Sequence, residues 1–253
     1  MTRVIAVTNQ KGGVGKTTTA VNLAACLAEA QFDVLLLDLD PQANASAGLG
    51  VRVEDPRLTS YGVLGGASGV SEATFATAVG HLSVVPACPD LAGAVVELAN
   101  ADGNEYVLEY ALTGQVDQYD FVFVDCPPSL GVLTVNALVA AREVLIPVQA
   151  EYYALEGLAA LLETVGLVQE HLNPELSILG VVVTMYDGRT RLGREVAAEV
   201  RQHLGEHVFE TVVPRNVRLS EAPSHGLPIS RYDATCAGSD AYFDLAKEVV
   251  SRD

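Results

Sequence analysis

Short runs of β-branched and other apolar residues recur along the chain, separated by longer stretches whose apolar positions follow helical spacing. The runs are Val4-Ile5-Ala6-Val7, Val34-Leu35-Leu36-Leu37, Ser83-Val84-Val85-Pro86, Phe121-Val122-Phe123-Val124, Val144-Leu145-Ile146-Pro147-Val148 and Ile178-Leu179-Gly180-Val181-Val182-Val183. Near-continuous apolar strands are buried on both faces, the habit of parallel sheets covered by helices. A glycine-rich turn after the first run leads into a helix predicted from Lys16 to about Ala30. This alternation predicts an α/β fold with a doubly wound, mostly parallel sheet, helices on both faces, and ligands beyond the carboxyl ends of the strands. Residues 42–80 break the pattern with Gly48, Gly50, Gly62, Gly65, Gly66, Gly69 and Gly80. They read as loops and short helices in a mobile surface insertion. No repeat, low-complexity tract or linker divides the chain, so residues 1–253 are expected to form one domain.

Composition narrows the class. Hydrophobic residues make up 49% of the 253 positions and the mean hydropathy is +0.27, too apolar for a disordered chain. No apolar run approaches the roughly 18 residues needed to cross a bilayer, and the N-terminus moves directly into a strand without a signal-peptide pattern. The four cysteines, Cys26, Cys88, Cys126 and Cys236, are scattered and form no C-x-x-C. A disulfide framework or zinc site is therefore not expected, and a reducing cytoplasm is.

The most informative segment is Asn9-Gln10-Lys11-Gly12-Gly13-Val14-Gly15-Lys16-Thr17-Thr18, which follows a strand and opens a helix. Glycines let successive backbone N–H groups curl round an anion, and the helix N-terminus adds unpaired donors. Gly12, Gly13, Val14, Gly15 and Thr18 would cradle phosphates, Lys16 would neutralise the β and γ groups, and the Thr17 hydroxyl would ligate Mg²⁺. The strict phosphate-loop pattern is not met: Gln10 stands where its first glycine falls, and Lys11 follows. Asp125 closes an apolar run and is placed to hold Mg²⁺ through water. Asp38 and Asp40, two apart at the end of the second strand, point the same way. One would hold the metal's water shell and the other orient the attacking water.

These residues resemble the ParA/Soj-type chromosome-partitioning ATPases of the deviant-Walker, MinD-like phosphate-loop group. Besides the loop, the resemblance rests on Asp38-Leu39-Asp40-Pro41-Gln42, on Asp125-Cys126-Pro127-Pro128-Ser129-Leu130, on the segment from Pro147 to Gly157, and on the segment from Pro214 to Ser224. It implies a Mg²⁺-dependent ATPase, slow alone, that dimerises when ATP is bound. Lys11 would be the signature lysine, reaching the partner subunit's nucleotide phosphates. Asp40 would orient the hydrolytic water, Asp125 would be the Walker B carboxylate, and Pro214 and Asn216 would hold the adenine. The resemblance further implies sequence-independent binding of double-stranded DNA by the ATP dimer, stimulation by a ParB/Spo0J-type partner, and a cytoplasmic, nucleoid-associated location.

DNA binding sits awkwardly with a formal charge of −17, but the charge is uneven. From Arg189 to Arg231 seven arginines face five glutamates, for +2, while the other 210 residues carry −19. Arg189, Arg191 and Arg194 cluster at the start of a predicted helix. Phosphate neutralisation and counterion release let a few placed arginines suffice. Arg189 matches a family position in DNA contact, and Arg218 is a second candidate. His203, His207 and His225 read as surface or capping residues, Cys126 as packed core, and Tyr152 and Tyr153 as packing near the dimer or nucleotide edge.

Three other classes fit less well. A MinD-like membrane switch needs a basic amphipathic C-terminal helix, whereas Ser239–Asp253 is short and net negative. A metal-cluster carrier needs cysteine pairs that the chain lacks. A small-molecule ligase or kinase needs a second substrate pocket that no motif marks.

Overall fold

The computed structural model describes residues 2–98, 103–151 and 154–252, with backbone alone at 154–156. Tyr152 and Tyr153 lie outside these residues. The strands are β1 (Arg3–Val7), β2 (Val34–Asp38), β3 (Phe75–Ala76), β4 (Leu82–Val85), β5 (Phe121–Asp125), β6 (Glu143–Gln149), β7 (Ser177–Tyr186) and β8 (Val208–Pro214). They form one eight-stranded sheet in the order β3-β4-β2-β5-β1-β6-β7-β8. Among the described residues only the β3–β4 pairing is antiparallel. The six apolar runs coincide with six of these strands. β3, two residues long, and β8, whose polar Glu210 and Thr211 interrupt its apolar pattern, were not anticipated.

The helices of the described residues are α1 (Lys16–Glu29), α2 (Asn44–Gly48), α3 (Ser60–Leu64), α4 (Leu91–Leu98), α5 (Val107–Leu112), α6 (Val132–Ala140), α7 (Ala154–His171), α8 (Arg191–Leu204), α9 (Val217–Glu221), α10 (Ile229–Tyr232) and α11 (Ala237–Ser251). Alternate residues of each central strand enter two separate cores. Val4, Ala6, Leu35, Leu37, Val122 and Val124 join side chains of α3 to α8 on one face. Ile5, Val7, Val34, Leu36, Phe121 and Phe123 join those of α1 and α11 on the other. Both faces are dry, which is why these strands read as unbroken apolar runs.

Residues 42–80 are not the mobile insertion that their glycines predict. Ala45, Leu49, Val63, Leu64, Val70, Ala73 and Val79 are buried, and β3 pairs with β4. Helix α11 turns Ala241, Tyr242, Leu245, Ala246 and Val249 inward, so its apolar face is spent on the core. Among the described residues no helix is long and apolar enough to cross a membrane.

Candidate functional site

β1 lies inside the sheet, between β5 and β6, and its carboxyl end delivers the loop before α1. In parallel register Val7 pairs with Asp125 and Asp38 with Asp125, so three strand ends converge below that loop. Gly13 and Gly15 have φ of 76° and 90°, left-handed values that glycine adopts without strain. A Cβ on Gly13 would meet nothing within 4 Å, so the loop presents open backbone. No side chain caps α1, which leaves its first-turn N–H donors for an anion.

Side chains pin the loop from below. The Asn9 amide donates to the Pro147 carbonyl (2.7 Å) and its oxygen accepts from the Lys11 N–H (3.0 Å). The Thr184 hydroxyl donates to the Val14 carbonyl (2.7 Å). Lys16, buried, donates from Nζ to the Lys11 carbonyl (2.9 Å), bridging the loop. Burial lowers its pKa, while Asp125, Cys126 and Asp40 pull it back up. Asn9 opens the segment that the sequence marked but was given no role there, and Thr184 was not singled out, since it belongs to no phosphate-loop pattern.

The three acids differ. Both Asp125 oxygens are buried without a hydrogen bond. Burial raises its pKa well above the carboxylate range, with the Asp38 charge adding to it; the Thr17 hydroxyl and Lys16 pull the other way. Asp38 is fully buried but well supplied: Oδ1 accepts from the Asp40 N–H (3.1 Å), and Oδ2 from the Ser46 N–H (2.8 Å) and hydroxyl (2.6 Å). Burial pushes it up to about 6 against those hydrogen bonds. Asp40 caps its own turn by accepting from the Gln42 N–H (2.9 Å). The described residues contain no group of three metal-ligating side chains, so the acids do not form a cage. The unbonded Asp125 carboxylate beside the Thr17 hydroxyl fits instead a hard cation that takes one or two protein oxygens and the rest from phosphate and water.

Lys11 is half-exposed, and its Nζ pairs with Glu151 (2.9 Å) in the same subunit. Above the loop a cavity of about 280 Å³ is lined by Gly13, Lys16, Thr17, Asp40, Pro128 and Met185, among others. A second, of about 220 Å³, shares Gly15, Thr18 and Met185 with it and continues to Pro214, Asn216 and Tyr242. Met185, in the wall of both, has φ of 50° where the β7–β8 register shifts. Nothing in the sequence marked this bulge. The Asn216 oxygen caps α9 by accepting from the Arg218 N–H (2.8 Å), leaving its amide N–H₂ group free to donate.

The four arginines expected at DNA all have partners. Arg189 pairs with Asp187, Arg191 with Glu195, and Arg218 with Glu221 and Asp233; Arg194 donates to the Gly188 carbonyl. Arg191 and Arg194 stand in the first turn of α8, Arg189 in the turn just before it, and Arg218 on α9. The Arg215 N–H donates to the Tyr186 carbonyl (3.0 Å), tying the end of β7 to the residue that follows β8. His203, His207 and His225 are exposed, and Cys126 is fully buried with its thiol pKa pushed up by burial.

Residues 2–178 match the AAA domain family model AAA_31. The chain is 54% identical over 251 residues to the sporulation initiation inhibitor protein Soj of Bacillus subtilis (strain 168), covering 99% of each. It is 53% identical over 253 residues to the chromosome-partitioning ATPase Soj of Treponema pallidum (strain Nichols), covering 100% of this chain and 99% of that one. Among solved structures it resembles a cobyrinic acid a,c-diamide synthase from Mycobacterium smegmatis with bound ADP and magnesium, at 39% identity and TM-score 0.85, covering 98% of this chain and 93% of that one.

Proposed function

Because the chain belongs to the Soj/ParA family of chromosome-partitioning ATPases, we propose that it is an ATP-driven dimerising switch that partitions chromosomal or plasmid DNA. One observation carries the reading: an open glycine cradle with Lys16 across it and the unbonded Asp125 carboxylate beneath. Backbone N–H groups of residues 12–18 bind the phosphates, and Lys16, already desolvated, exchanges the Lys11 carbonyl for phosphate oxygen. Mg²⁺, when bound, neutralises charge on the β and γ oxygens; Thr17 and Asp125 would hold it, and Asp38 would fix the Asp40 turn and α2 from below. Asp40 orients the attacking water. Asn216 donates to the edge of the adenine while Pro214 covers its face.

Lys11 leaves Glu151 and crosses to the partner subunit's nucleotide, where a second cation stabilises charge on the γ-phosphate. Hydrolysis removes the group that both lysines touch, and the dimer loosens. The dimer binds duplex DNA through Arg189, Arg191, Arg194 and Arg218, and a ParB-type protein stimulates turnover. That cycle would keep the protein on the nucleoid. The synthase name of one structure at 39% identity weighs less than two relatives above 50% over the same span.

The test is light scattering and DNA titration with ATP, ADP and no nucleotide. Dimer and DNA binding are expected with ATP alone. Lys11→Ala should bind ATP as a monomer and fail to dimerise; a Lys11→Ala dimer of normal affinity would remove the crossing lysine from the scheme.

A further inference from the structure

All fifteen lysines and arginines of the chain are described, and among them only Arg52 and Arg215 have a side chain without a hydrogen bond or ion pair. Arg215 is exposed, at the lip of the 220 Å³ cavity. Asp187, the residue that Arg189 grips, also feels the Arg215 charge. That grip is two-pronged: Arg189 Nε donates to Asp187 Oδ1 (2.9 Å) and Nη2 to Oδ2 (2.8 Å). The Arg189 N–H also donates to Oδ1 (3.0 Å), and the Asp187 carbonyl accepts from the Thr190 N–H and hydroxyl, so the acid is fixed in its turn. Gly193 packs so closely that a Cβ there would lie 2.8 Å from the Asp187 carbonyl. The turn is therefore rigid, while the Arg189 side chain is 91% exposed against 24% for Asp187.

A guanidinium fork accepts a carboxylate and a phosphate in the same bidentate geometry. We propose that Arg189 and Arg215 are the two arms of a phosphate clamp for the DNA backbone, and that the Asp187 carboxylate fills it in the free protein as an internal phosphate mimic. Arg215 is thereby an additional DNA contact, and Asp187 sets the strength of the surface. Exposed ion pairs are weak and screened by salt, so a phosphodiester can take the place of Asp187 once a dimer presents two clamps. The Arg215–Tyr186 hydrogen bond ties the end of β7 to the residue after β8, and Met185 and Arg215 both line the 220 Å³ cavity, so this clamp stands beside it. The inference rests on the DNA-binding reading above.

The test is Asp187→Asn, which keeps the turn-forming oxygen and removes the charge. With an ATP analogue at about 0.15 M salt, duplex affinity should rise about three- to tenfold, and the slope of log affinity against log salt should steepen by about one contact. The gain should vanish in Asp187→Asn/Arg189→Ala, and Arg215→Gln should flatten the slope by about one. Salt-sensitive DNA binding by the parent with no gain in Asp187→Asn would overturn the clamp alone. A gain in nucleotide affinity without a gain in DNA affinity would do the same, assigning the arms to the triphosphate. No DNA binding by the parent in any nucleotide state would overturn both the clamp and the reading beneath it.

Discussion

Asp125 shows what a site costs the residue that serves it. Its carboxylate ends a buried strand with no hydrogen bond and faces Asp38 across the β2–β5 register. An acid whose pKa is higher in the fold than in the unfolded chain weakens the fold as it ionises. Stability is therefore full below about pH 4, falls as pH climbs toward the folded values, and stays low above them. For Asp38 the upper end of that window is about 6, and Asp125 extends it in the same direction. Asp125→Asn should abolish Mg²⁺-dependent turnover and raise the melting temperature, more at about pH 8 than at about pH 5. Relieving roughly 1–3 kcal/mol of burial penalty corresponds to about 2–4 °C for each kcal/mol in a chain of this size. A melting temperature that falls at the higher pH would mean that the ionised carboxylate is well solvated. The position of Asp125 was legible because an acid closing an apolar run stands out. The engagement of Asp38 by Ser46 was not, since it depends on a turn through Ala43 at φ of 52° that brings together residues eight apart.

At the scale of elements, the parts that pattern reveals are those buried on two faces. Six strands and the helix after the phosphate loop follow from apolar runs and spacing alone. The glycines of residues 42–80 misled because composition does not separate a glycine that marks slack from one required by contact. A Cβ on Gly62 would lie 2.0 Å from the Arg57 carbonyl, so that turn closes only without a side chain. Gly50 and Gly226 press together at φ of 73° and 66°, with a Cβ on Gly226 falling 2.8 Å from the Gly50 Cα. This contact locks the end of α2 to the segment after α9, two walls of a cavity of about 420 Å³ that also includes Thr17 and Thr18. Gly226→Ala should lose about 1–2 kcal/mol to left-handed strain and about 1–3 kcal/mol to overpacking, lowering the melting temperature by roughly 5–15 °C. Calorimetry would check this, and a change under about 2 °C would mean the two segments are not clamped.

At the scale of the whole molecule, charge sets two salt dependences of opposite sign. Two subunits of −17 each repel as they approach, and added salt screens that repulsion within a Debye length of about 8–10 Å at 0.1–0.15 M. The attraction proposed across the interface, Lys11 on the partner subunit's phosphates, is short-ranged and desolvated, and salt weakens it less. DNA binding behaves in the opposite way, because each arginine–phosphate contact releases counterions and loses affinity with salt. With a non-hydrolysable analogue, the dimer should therefore tighten between about 50 and 300 mM salt, as sedimentation would read. Over the same range preformed dimer should release duplex DNA, as fluorescence anisotropy would read. A dimer that weakens with salt would show that the interface is held mainly by exposed ion pairs, and net charge would then not limit assembly. Opposed slopes would mean that the acidic body keeps the subunits apart until ATP joins them, while the basic loops of the resulting pair hold DNA only loosely enough to let go.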